Sequence, residues 1–305
     1  MIRESEDLTG MRRVFLPAGP PPPPGTHWVN VIGGDLNTAR YAFGAFGIQS
    51  AGVACSGHFF ASTETFNGAT WAALGGGNLN TARFDFGAFG IQSAGVACGG
   101  SFGPLASTET FNGATWTALG GGNLNTARQQ LGAFGIQSAG VACGGTTGIP
   151  TIGTTETFNG ATWTAFGGGN LNTARSLFRA FGIQSAGVAC GGFDSTFNVL
   201  ASTETFNGTT WTSGAGGNLN TGRTDFGAFG IQSAGVACGG FDTLSNILAS
   251  TETFNGATWT ALGAGGNMNT ARADFGTFGI QSAGVACGGQ DAGLNTIAST
   301  EKFVP

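Results

Sequence analysis

The stretch "LASTETFNGATWTAL", Leu105 to Leu119, decides the fold. Its Thr and aromatic residues flank Asn112-Gly113, and Asn-Gly between two short apolar-polar runs is the strongest short-range hairpin signal, because a type I′ turn needs two residues that tolerate positive φ. Four other complete versions of the phrase occur along the chain, and a sixth, "IASTEKFVP" at residues 297–305, breaks off before Asn-Gly and Trp.

Working outward, the phrase belongs to a longer unit. Six copies of "NTAR" or "NTGR" end at Arg40, Arg83, Arg128, Arg175, Arg223 and Arg272, and a Cys follows each Arg by 15 residues: Cys55, Cys98, Cys143, Cys190, Cys238 and Cys287. Six Trp stand in step with them, at Trp28, Trp71, Trp116, Trp163, Trp211 and Trp259. The period grows from 43 to 49 residues, the length of one four-stranded propeller blade. Within each period four strands are expected: a in "FGAFGIQ", b in "AGVAC", c in "STETF" and d in "ATWTA". Composition agrees, since 58 Gly, 26 Phe and only 9% charged residues describe an all-β chain rather than a mixed one.

The broken final phrase has a counterpart at the other end. "GTHWVNV", Gly25 to Val31, supplies the missing outer strand of the sixth unit, so pairing it with Ser299–Phe303 closes a ring and removes two open strand edges. Residues 26–305 form the propeller in this reading. Residues 1–25 are an N-terminal tail, in which "PAGPPPPPG" is a polyproline II linker.

Charge and hydropathy exclude several classes. A formal charge of −5 without any basic run argues against nucleic acid as a partner. No apolar run reaches the ~18 residues of a membrane helix, so no membrane role is expected. "MIRESEDLTGMRRVFLPAG" has no apolar core of the kind a signal peptide carries.

An Arg before strand a, Gly-Gly after strand b, an aromatic on strand c and Trp on strand d, as in Arg83, Gly99-Gly100, Phe111 and Trp116, resemble the kelch repeat over residues 26–305. That resemblance implies a six-bladed β-propeller around a central channel. The sequence departs from it in having Phe rather than Tyr on strand c and small residues on strand b. Its wording, "GGNLNTAR" and "STETFNGATWT", resembles kelch-like proteins encoded by marine bacteriophages.

Residues that recur once per unit read as structural. These are the six Arg and the six strand-c carboxylates Glu64, Glu109, Glu156, Glu204, Glu252 and Glu301, with each Arg expected to bond a Glu or backbone carbonyls between neighbouring blades. The six Cys lack C-x-x-C spacing and lie about a blade apart, too far for disulfides, so they read as buried free thiols. An enzyme is not expected. The single Tyr and two His cannot build a galactose-oxidase-like copper site, sialidase-type Asp boxes are absent, and every Gly-Gly lies between strands rather than before a helix.

Positions where the copies differ are the candidates for binding. They are the two residues after each Arg and the b–c connections, which fall on one face of the disc. The b–c connections lengthen along the chain, with Cys-to-Phe separations of 11, 13, 15, 16, 16 and 16 residues. Candidate residues are His58, Phe59, Asp85, Phe102, Arg179, Phe193, Asp194, Phe197, Asp225, Phe241, Asp242, Asp274, Gln290 and Asp291. With Asp35, seven carboxylates are expected on one rim, suited to a basic or apolar protein surface or to Ca2+. The apolar residue six before each strand-c Phe (Phe60, Leu105, Ile152, Leu200, Leu248, Ile297) is expected in the core. No other cofactor is expected. The functional expectation is a non-catalytic virion component meeting other virion proteins or a host surface, and the alternatives are a soluble lectin or an intracellular kelch-type adaptor.

Overall fold

The computed structural model describes residues 26–305 apart from 59, 215 and 216, together with the backbone of Glu4–Glu6 and Arg12–Val14, which pair antiparallel. The polyproline linker lies outside the described residues. Six four-stranded antiparallel sheets are arranged as the blades of a propeller. In blade two, strands a to d are Gly87–Ile91, Ala94–Cys98, Thr108–Phe111 and Trp116–Ala118, and the order repeats in the other blades.

Blade six is shared between the two ends of the chain. Its inner three strands are Gly276–Ile280, Ala283–Cys287 and Thr300–Val304, and its outer strand is His27–Asn30. The register places Trp28 opposite Phe303 and His27 opposite Val304. This closure is the expected one, with the outer strand trimmed by a residue or two at each end.

The hydrophobic core is six wedges, one between each pair of adjacent blades. Phe46, Val53 and Cys55 of blade one, for example, pack on Leu79, Phe86, Ala97, Phe111 and Trp116 of blade two. The small residues of strand b follow from this packing. A methyl group added at Gly95 would strike the Phe46 ring of the neighbouring blade, and Gly140 stands in the same relation to Phe89. Bulk is therefore supplied by the adjacent blade's Phe, and strand b must leave room for it.

Two side-chain contacts per junction fix the blades to one another. Each strand-d Trp donates its indole N–H to a strand-c Thr of the preceding blade, as Trp116 does to Thr63 at 3.0 Å. Each Gln of the a–b turn donates to two carbonyls of the preceding blade, as Gln92 does to Gly52 at 3.0 Å and Phe66 at 2.9 Å.

The Arg–Glu pairs lie elsewhere than expected. All six form, at 2.6 to 2.9 Å, but each joins an Arg to strand c of its own blade rather than to a neighbour. Glu109 also accepts the Asn80 and Thr81 backbone N–H groups and the Asn80 side-chain amide. Arg83 donates to the carbonyls of Gly99 and Ser107. The pair thus pins the chain that arrives from the previous blade onto strand c. Burial is complete at 0% and 1% side-chain exposure, and the dense hydrogen bonding offsets the desolvation of the two charges.

Candidate functional site

The b–c and d–a connections emerge on one face of the disc, and the a–b and c–d turns on the other. On the first face, two closed circuits of backbone hydrogen bonds surround the axis. In the outer circuit the second residue after each Cys donates its N–H to the Arg carbonyl of the next blade, from Gly57 to Arg83 and so on around to Gly289 and Arg40, at 2.9 to 3.1 Å.

The inner circuit uses the second residue after each Arg. Asp85 donates to Ala42, Gln130 to Asp85, Leu177 to Gln130, Asp225 to Leu177, Asp274 to Asp225, and Ala42 to Asp274, at 2.7 to 3.2 Å. All six residues have positive φ, between 50° and 57°. Left-handed backbone is ordinary for Asp and costly for Leu, Gln and Ala, so the residue types do not announce the ring. Closing six hydrogen bonds in a circle over-determines the conformation.

This ring carries the side chains of Asp85, Asp225 and Asp274 to the mouth of the central channel. The channel is lined by strand a of every blade and encloses about 200 Å³, and a vestibule of about 260 Å³ lies at the ring itself. Burial pushes the Asp85 carboxyl up to about 6, with the charge of Asp274 adding to the effect and Arg179 and a hydrogen bond from Gln130 opposing it. Asp225 is raised well above the usual carboxylate range, by burial first and by Asp274 second. Asp225 and Asp274 share a hydrogen bond, and Asp274 is raised as well, by burial first, with Arg179 opposing.

Arg179 opposes this acid cluster. Strand a begins with Gly in the other five blades, at Gly44, Gly87, Gly132, Gly227 and Gly276, and a methyl added there would meet the next blade. Blade four has Arg179 in that place, lining the channel. The mouth of the channel therefore holds one guanidinium among three carboxyl groups, and Arg179 opposes the raised pKa of each.

Beside the mouth runs a line of rings. Tyr41 stacks on His58 at 5.0 Å, His58 meets the edge of Phe84 at 5.2 Å, and Phe84 meets Phe102 at 5.2 Å. Phe102 is 61% exposed. Phe59 lies outside the described residues.

The acidic rim divides by position. Asp194, Asp242 and Asp291 do not join the mouth; each accepts hydrogen bonds from the backbone and side chain of the Asn four residues on, as Asp194 does from Asn198 at 3.0 Å. Those bonds hold their carboxyls below the ordinary range, the Asn198 side chain being the largest cause at Asp194. Asp35 instead accepts the Thr300 N–H at 3.3 Å, where Asn123 and Asn170 serve blades two and three. The loops so braced raise Phe197, Leu244 and Leu294 into solvent. Phe193, Phe241 and Gln290 are half-buried and bridge back to the residue after Arg, at Ser176, Thr224 and Ala273.

The apolar residues expected in the core are half-buried or exposed. Their constant function is in the backbone, where the Leu105 N–H bonds the Gly100 carbonyl and closes the b–c loop, and Ile152, Leu200, Leu248 and Ile297 do the same. Gln130 and Leu177, which fall within the variable pairs after each Arg but are not singled out among the candidate residues, also stand at the mouth. Their only signal is that they vary from copy to copy.

Among the described residues, no group of three or more His, Cys, Asp or Glu is placed to hold a metal ion. All six thiols are free and buried, and burial pushes each up to about 12. No helix among the described residues is long and apolar enough to cross a membrane. The chain is a six-bladed β-propeller, a class whose architecture suits binding or structural roles. It matches no family model, and no curated protein matches its sequence.

Proposed function

We propose that this chain is a non-catalytic, kelch-like binding propeller that serves as a bacteriophage virion component, meeting another virion protein or a host surface through the face that carries the channel mouth. One observation carries the binding assignment. Six nearly identical repeats differ chiefly on this face, where the residues at the ring and the braced loops of blades four to six change in side chain while their backbone stays constant. Variation confined to one face, over an unchanging frame, is what recognition of a particular partner requires.

The chemistry of the face favours a protein. Exposed Phe102, Phe197, Leu244 and Leu294 offer apolar anchors, and ionised Asp194, Asp242 and Asp291 set a negative field around them that suits a basic, partly apolar surface. Buried thiols with raised pKa and carboxylates committed to Arg leave no activated nucleophile among these groups, which supports a binder over a catalyst. The wording of the repeats supports the virion setting.

Mass spectrometry of purified particles tests the setting. Detection of the chain in stoichiometric amount is the expected result, and its absence from particles overturns the virion assignment.

A further inference from the structure

The face opposite the channel mouth is as uniform as the first is varied. Strand a of each blade ends there in an isoleucine: Ile48, Ile91, Ile136, Ile183, Ile231 and Ile280, each 48% to 52% exposed. They stand just beyond the glycines that line the lower end of the channel, so they encircle that opening. Behind them the Gln of every a–b turn is held by two carbonyls of the neighbouring blade, which fixes the turns in place. Six half-exposed isoleucines in one ring present apolar surface on the scale of a few hundred Å², a size at which patches mark interaction sites.

Charge says what can cover the ring. The seven Asp of the propeller lie on the opposite face, in the b–c and d–a connections or at the channel mouth, and its Glu are paired with Arg. The six a–b turns and the five continuous c–d turns contain no Asp, Glu, Lys or Arg; in blade six the two ends of the chain stand in place of a c–d turn, and Lys302 bonds the Gly68 carbonyl. Two copies approaching by their acidic faces repel each other, whereas two copies approaching by their isoleucine faces do not. A two-fold axis also sets the same six residues against one another, which is the self-complementarity an isologous contact needs.

We propose that the isoleucine face docks a second copy of this chain, back to back, leaving the two channel-mouth faces pointing outward. Together with the turns around them, two facing rings reach the roughly 1,000 Å² that a specific interface needs. The resulting particle is bivalent, with identical recognition faces at opposite ends.

Sedimentation equilibrium of the full chain over the micromolar range tests this. The expected mass is twice that of the chain, and Ile183→Ser with Ile231→Ser weakens self-association at least about tenfold while the melting temperature stays near that of the parent. Phe197→Ser, on the other face, leaves the mass unchanged. A second measurement does not depend on those variants. Because the native thiols are buried, Ser93→Cys in an a–b turn places a single accessible thiol on the isoleucine face, and its maleimide labelling is expected to slow as protein concentration rises. A mass of one chain at every concentration overturns the proposal. So does a dimer that the Ile substitutions leave intact or that Phe197→Ser dissolves, and so does a labelling rate independent of concentration.

Discussion

Trp28 and Thr251 are 223 residues apart in sequence, yet the Trp28 indole N–H donates to the Thr251 hydroxyl at 3.0 Å in a buried position. It is the same bond that every other strand-d Trp makes to the preceding blade. Strand d of blade six, although it comes from the other end of the chain, is therefore held to blade five just as every other strand d is held to the blade before it, and stability must depend on it as heavily.

Removing residues 298–305 takes away strand c of blade six and strips the partner from His27–Asn30. A large fall in melting temperature is expected. Trp28→Ala, which leaves the strand in place, is expected to cost about 3–5 kcal/mol in urea unfolding. An unchanged midpoint in either protein contradicts closure by this strand.

Arg83→Met leaves the Glu109 carboxylate buried without a counter-charge. A loss of about 3–5 kcal/mol is expected, with part of it recovered when Glu109→Gln is added, since the uncompensated charge rather than the missing attraction dominates the cost. A double-mutant cycle by chemical denaturation gives the coupling. The same substitution at Arg223 should behave alike, because its surroundings repeat.

Gly140→Ala drives a methyl group against Phe89 of the neighbouring blade. The expected cost is about 1–3 kcal/mol from overpacking. Pairing it with Phe89→Leu should soften that cost, and a neutral Gly140→Ala measured by thermal unfolding contradicts the packing described.

The Asp85 carboxyl is raised from its ordinary value of 3.8 to about 6 in the fold. The folded protein therefore binds this proton more tightly than the unfolded chain does, so its contribution to stability is present below about pH 4 and is lost as pH rises through about 6. Asp85→Asn removes that dependence. It is expected to stabilise by about 2 kcal/mol at pH 8 and to be nearly neutral at pH 4. Unfolding midpoints of the two proteins across this range check the sign.

Much of the fold was legible because side-chain types repeat at fixed spacing. Asn112-Gly113 marks the c–d hairpin, Trp116 marks strand d, and the missing Asn-Gly after Phe303 points to the outer strand at Trp28. What was not legible is carried by the backbone or by radius. Ala42, Gln130 and Leu177 adopt the same left-handed conformation as Asp85, and nothing in their chemistry distinguishes them from residues of an ordinary loop. Asp85 and Asp194 both read as rim carboxylates, but one lies at the axis and the other braces an outer loop. The partner of Arg83 was placed across a blade boundary because spacing alone gives 26 residues to Glu109 and does not say which blade owns each.

The inner ring of hydrogen bonds is made of main-chain amides alone, so it holds side chains as different as those of Ala, Asp, Gln and Leu. Ala42, Asp85, Gln130, Leu177, Asp225 and Asp274 already place four residue types on one geometry. An exchange among these four types at one of the six positions changes the chemistry offered at the axis on the same frame. The propeller thereby separates shape from specificity: the backbone circuit sets where the six side chains stand at the mouth, and their identities set what the mouth offers.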